Sequence, residues 1–158
     1  MAQLTPRFSA NRTVREYTEQ YYLPAATAYL ERKANQCAMG RQVAEWQAAL
    51  ERGWATVRFG DVQIESDEKQ HTFHVQVYLT ELDPQAVRVE LYADGVDGGA
   101  PVRQEMVSSG HLVAATNGYI YTASMPATRP ATDYTPRVIP HFPGVAIPLE
   151  ANRILWQR

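Results

Sequence analysis

Thr72-Phe73-His74-Val75-Gln76-Val77-Tyr78-Leu79 alternates throughout: Phe73, Val75, Val77 and Leu79 share one side, while Thr72, His74 and Gln76 take the other. A period of two is the pattern of a half-buried antiparallel strand, since a helix would scatter the same apolar residues around its circumference. Outward from this strand the remainder of the chain from Val57 reads the same way. Further strands are predicted over Thr56 to Glu65, Ala86 to Ala93, Val102 to Val107, His111 to Thr116, Tyr119 to Met125, Arg137 to Ile139 and Arg153 to Gln157. Turn signals stand between them at Asp83-Pro84, Asp94-Gly95, Gly98-Gly99 and Asn117-Gly118.

Seven or eight short strands predict an all-β antiparallel sandwich of immunoglobulin-like type. Six of the ten prolines lie between Pro126 and Pro148, and because proline cannot donate to a ladder, this part is expected to be edge strand and surface loop. Toward the N-terminus the period changes to that of a helix. Ser9 can cap a helix on which Val14, Tyr17, Tyr21, Ala25 and Ala28 recur at spacings of three and four. Pro24 predicts a kink or a new helix with Pro24 in its first turn. Gly40 is read as a separator before Arg41 to Arg52, where Val43, Trp46 and Leu50 form a second stripe and Gly53 offers a left-handed stop. The fold class is therefore α+β, with a helical segment over 1–54 and a β-sandwich domain over 55–158.

The 158 residues are 45% hydrophobic, 20% charged and 10% aromatic, a soluble globular composition able to bury roughly two-thirds of its unfolded surface. A net charge of −2, with no concentration of Lys or Arg, argues against nucleic acid as a partner. Cys37 is alone, so no internal disulfide can form. The stretch Met1 to Ser9 is polar and no apolar run of spanning length occurs, so neither a signal peptide nor a membrane span is expected, and the cytoplasm is the expected location.

Motifs for chemistry are sparse. His71 and His74 fall on opposite faces of one strand and cannot chelate together, so no metal site is predicted. Ser108-Ser109-Gly110-His111 puts a hydroxyl near an imidazole, but it reads as a plain loop, and no catalytic residue is assigned. Asp94, Asp97 and Gly98 read as a turn, because the later ligands of a calcium loop are missing. Tyr119 and Tyr121 share one strand face, either as cross-strand packing or as a stacking platform for sugar, and they are the candidate substrate-binding residues. Trp46, Trp54 and Trp156 read as core.

The run Phe8-Ser9-Ala10-Asn11-Arg12-Thr13-Val14-Arg15-Glu16-Tyr17 resembles the segment near the C-terminal end of the catalytic region in α-glucan (glycogen, starch or maltodextrin) phosphorylases. Tyr21-Tyr22-Leu23-Pro24-Ala25, Asp133-Tyr134-Thr135-Pro136-Arg137-Val138-Ile139-Pro140-His141 and the closing Ile154-Leu155-Trp156-Gln157-Arg158 are similar to the shorter bacterial and archaeal branch of that family. The resemblance covers essentially the whole chain but only the tail of the family protein. It implies a parent glycosyltransferase of two Rossmann-like domains, with pyridoxal phosphate on a lysine, that performs reversible phosphorolysis of α-1,4-glucan to glucose 1-phosphate. None of the matching residues is one of the family's catalytic residues. A Schiff-base lysine must be desolvated, whereas Lys33 follows Glu31 and Arg32 on a helix and Lys69 follows Asp67 and Glu68 in a charged turn, so no cofactor is expected in this chain. The resemblance thus implies a non-catalytic C-terminal portion with a structural or glucan-orienting role. Its implied partners are the parent's catalytic domains and α-glucan; without those domains the stripe of Val14, Tyr17 and Tyr21 is expected either to fold back against Trp46 and Leu50 or to pair with a second copy. The alternative is an independent carbohydrate-binding or protein-interaction sandwich.

Overall fold

The computed structural model describes residues 9–112 and 117–158. The chain divides into two compact units, with the division between Ala44 and Glu45.

In the first unit, α1 (Ala10–Tyr17) is opened by Ser9, whose hydroxyl accepts from the Arg12 backbone N–H at 3.3 Å. A π-helical turn, Thr18–Tyr22, leads into α2 (Leu23–Gly53), and Pro24, which has no N–H to donate, stands directly after that turn. The helix is interrupted at Ala34–Cys37, and Asn35, Gln36 and Cys37 take positive φ. The expected separator, Gly40, instead lies within helical backbone. Within the interruption the Arg41 guanidinium donates to the Gln36 carbonyl. Val14, Tyr17, Tyr21, Tyr22, Leu23, Tyr29 and Leu30 are 53–65% exposed, so the apolar residues of this unit are largely outside any core.

The second unit starts in the last turns of α2. Trp46 is buried, donates from Nε1 to the Ala86 carbonyl at 3.1 Å and tilts against Phe142 at 5.5 Å; Leu50 is fully buried. Gly53 keeps helical φ of −97° rather than the left-handed stop expected of it. Its reason is space: a Cβ there would lie 2.8 Å from Leu82 Cδ2.

Among the described residues eight strands follow: β1 (Arg58–Ser66), β2 (Gln70–Tyr78), β3 (Val87–Ala93), β4 (Val102–Glu105), β5 (Val107–His111), β6 (Gly118–Pro126), β7 (Thr135–Pro140) and β8 (Leu155–Trp156). They make two four-stranded antiparallel sheets, ordered β1-β2-β6-β5 and β4-β3-β7-β8. The α+β sandwich-like class expected from the sequence is the observed one. Phe73, Val75, Val77 and Leu79 are fully buried, as their alternation predicts. Across the ladder Phe73 faces Ala123, Val75 faces Tyr121 and Val77 faces Tyr119. From the second sheet the buried face is Val87, Val89, Leu91 and Ala93 with Val138.

Two local expectations are corrected. Ser108-Ser109-Gly110-His111 is strand β5, bulged between Ser108 and Gly110, because β6 supplies it with a ladder partner. Of the expected strand His111 to Thr116, His111 closes β5 and residues 113–116 lie outside those described. The proline-rich part is not confined to edge and loop, for β7 lies inside its sheet with Pro136 and Pro140 in it. Gln157 N–H donates to the Pro136 carbonyl at 3.0 Å, so even-numbered residues of β7 turn their polar groups toward the two-residue β8. The missing proline donors therefore fall away from the long β3 ladder.

Candidate functional site

The residues proposed for sugar stacking lie in the core face of β6. Tyr119 and Tyr121 are 7% and 6% exposed, with ring centroids 6.4 Å apart. Burial pushes the Tyr121 hydroxyl up to about 12, because the phenolate would have to leave water. The His111 ring packs on Tyr119 at 4.7 Å, and Ser109 Oγ bonds the Ile120 carbonyl and Thr122 Oγ1, so no hydrogen bond joins this serine to the histidine. His71 and His74 are held separately, by Ser66 and the Arg129 carbonyl and by Thr122.

A different site is built on the outer face of the second sheet. Strand register sets Glu105, Glu90, Arg137 and Trp156 in one rung across β4, β3, β7 and β8. On this rung Arg137 donates from Nε to Glu90 Oε1 at 2.7 Å, and its Nη2 lies 2.5 Å from the same oxygen. Both side chains are at least nine-tenths buried, so the charges are compensated by each other in a low-dielectric setting. The Arg137 guanidinium also lies 4.4 Å from the Tyr92 ring centroid and 5.1 Å from that of Trp156, which meet edge-on at 5.3 Å. Tyr92 donates to the Asp94 carboxylate at 3.0 Å, which raises its hydroxyl above the ordinary value.

Flanking the rung, Arg88 Nε stands 3.5 Å from Glu105 Oε2. The segment after β7 crosses this face, tied down by His141 N–H to the Ala86 carbonyl at 2.9 Å and by Gln47 Nε2 to the Glu150 carbonyl at 3.3 Å. Between segment and sheet lies a cavity of about 650 Å³. Arg88, Glu90, Arg103, Glu105, Arg137 and Ile139 form its sheet wall. Phe142, Pro143, Val145, Ile147, Pro148 and Ile154 give it an apolar opposite wall.

Arg137 lies within the motif Asp133 to His141, where the sequence assigns it no role, and Trp156, expected in the core, is on this outer face. Arg88, Glu90, Arg103 and Glu105 were missed altogether. Alternate charges on the non-core positions of a strand look like an ordinary solvated face until something covers them. The available signal was the proline-rich stretch directly after β7, which supplies the cover.

The resemblance implies pyridoxal phosphate for the parent enzyme. A Schiff-base lysine requires desolvation, and the two lysines of the chain, Lys33 and Lys69, are both exposed.

Fold and site together define a helix-led sandwich domain with a charged cavity on one outer sheet face. By sequence comparison the chain belongs to the glycogen phosphorylase C-terminal domain family, whose model matches residues 54–158. It is also similar to glycogen phosphorylases of two Mycobacterium tuberculosis strains (CDC 1551 / Oshkosh and ATCC 25618 / H37Rv) and of Mycobacterium bovis. Each is 30% identical in an alignment of 153 positions that covers 90% of this chain and 18% of the relative. The chain thus spans less than a fifth of those relatives, and the match reaches beyond the sandwich into the helical segment.

Proposed function

We propose that the chain is a non-catalytic C-terminal portion of an α-glucan phosphorylase, a structural part that docks on the catalytic domains of its parent glycosyltransferase in the cytoplasm. The observation that carries this reading is the aromatic helical unit, with Tyr17, Tyr21, Tyr22 and Tyr29 more than half exposed. An exposed apolar surface of this kind gains about 25 cal/mol for each Å² removed from water, so it favours association. The family's chains are several-fold longer, and their remaining length supplies the natural counterpart. The parent reaction, phosphorolysis of α-1,4-glucan to glucose 1-phosphate, belongs to the whole polypeptide.

The test mixes the chain with a glycogen phosphorylase polypeptide truncated before the matching region and follows size-exclusion chromatography with light scattering. A one-to-one complex is expected at about 10 μM, which corresponds to a modest binding free energy, and Tyr17→Glu with Tyr21→Glu should abolish it. Absence of a complex from the unmutated pair would refute docking through this surface.

For Tyr119 and Tyr121, burial supports packing over a glucan platform. The alternative of an independent binding module draws its support from the charged cavity.

A further inference from the structure

We propose that the cavity over the outer face of the second sheet binds a small phosphate ester, its oxyanion taken by Arg88 and Arg103 in place of Glu105. This goes beyond the docking reading and does not depend on it.

Three guanidinium groups and two carboxylates line the cavity, leaving an excess of positive charge. Arg137 is committed to Glu90 and clasped between two rings. The other two arginines are not. Arg88 Nε is a buried donor that makes no hydrogen bond among the described residues, and Glu105 attracts it from 3.5 Å without bonding it. A buried donor without an acceptor costs free energy that a bound oxygen would recover. Arg103, exposed and opposite Tyr92 on the edge strand, has no ion pair among the described residues.

Glu105 is the displaceable member. Its side chain is 64% exposed, so it can swing into water while an oxyanion takes over the guanidinium donors. Arginine's planar fork matches phosphate oxygens and binds them by charge-assisted hydrogen bonds. The space decides for an ester over the bare ion. At about 650 Å³ the cavity is in the range of small-molecule sites, and the wall of Phe142, Pro143 and Ile154 offers nothing to an inorganic anion but suits the apolar face of a sugar-sized body.

Isothermal titration calorimetry of the 158-residue chain at low salt, with glucose 1-phosphate, inorganic phosphate and glucose as probes, tests the assignment. One saturable site is expected for glucose 1-phosphate, with weaker binding of inorganic phosphate and none of glucose. Arg103→Ala, at an exposed position that the fold does not need, and Arg88→Gln should each weaken binding about tenfold or more. Glu105→Gln should tighten it about threefold, because the competing carboxylate is gone while the fold keeps an amide of the same shape. Arg58→Ala, on the first sheet, should leave it unchanged. No saturation by either phosphate, glucose binding as tightly as its phosphate, or weaker binding in Glu105→Gln would each overturn the proposal.

Discussion

Glu90 shows how much a single residue depends on its partner. On β3 it occupies a non-core position of an alternating strand, where a carboxylate usually meets water, yet its side chain is only 6% exposed. Taking a charge out of water costs several kcal/mol, which the Arg137 guanidinium offsets through the Nε hydrogen bond and the close Nη2 ion pair to one oxygen. Removing one partner leaves the other charge buried alone, so Glu90→Ala should lower unfolding stability by about 3–5 kcal/mol in urea titrations. Replacing both, as Glu90→Leu with Arg137→Met, should come within about 1 kcal/mol of the unmutated chain, since the desolvation cost vanishes with the charges. Equal losses in the single and double variants would show that packing, not charge pairing, sets the cost.

At the scale of elements, β6 is interior to its sheet between β2 and β5, and Tyr121 is on its buried face. Its hydroxyl ionises near 12 in the folded chain against 10.0 for a free tyrosine. Below pH 10.0 both states keep the proton and the contribution to stability is complete. Between that value and about 12 the unfolded chain releases a proton that the folded chain retains, so stability falls as pH rises. Denaturation across this window should show the loss, and Tyr121→Phe should flatten part of it; an unaltered slope in that variant would remove Tyr121 as the source. The alternation of β2 was readable because both faces followed the rule of apolar inside and polar outside. That of β7 was not. Its prolines argued for an edge, and only the shortness of β8, formed far along the chain, makes an interior place tolerable. The helix interruption at Ala34–Cys37 carries no glycine or proline, so sequence reasoning placed it at Gly40.

For the whole molecule, the proposed non-catalytic role leads to a measurement. Both lysines are exposed, so the purified chain should show no pyridoxal phosphate absorbance after incubation with the cofactor and form no glucose 1-phosphate from maltodextrin and phosphate. Phosphorolysis at an enzyme-like rate that disappears in Lys33→Ala or Lys69→Ala would contradict the proposed role. The tyrosine-bearing helical unit gives the same molecule a second option when no catalytic domains are present. Pairing of two copies through that surface, seen as a mass that rises with concentration and falls in Tyr17→Glu, is the expected behaviour of the isolated chain.

The sequence by itself determined the two periods, and with them the helical segment, the strands and the core positions Phe73, Val75, Val77 and Leu79, because burial of one face acts on each residue locally. Its motifs also carried the family, which the match over residues 54–158 bears out. The tertiary structure decided what lies opposite each face. Tyr119 and Tyr121, whose spacing of two suits cross-strand packing more often than a platform, are in the core. Arg88, Glu90, Arg103, Glu105 and Arg137, each an unremarkable polar position on its own strand, become one lined cavity only when the segment after β7 folds across their sheet. Periodicity records which side of a strand is dry, but the company a side chain keeps depends on strand order and on which segment covers the sheet, and those are set by contacts far apart in the chain.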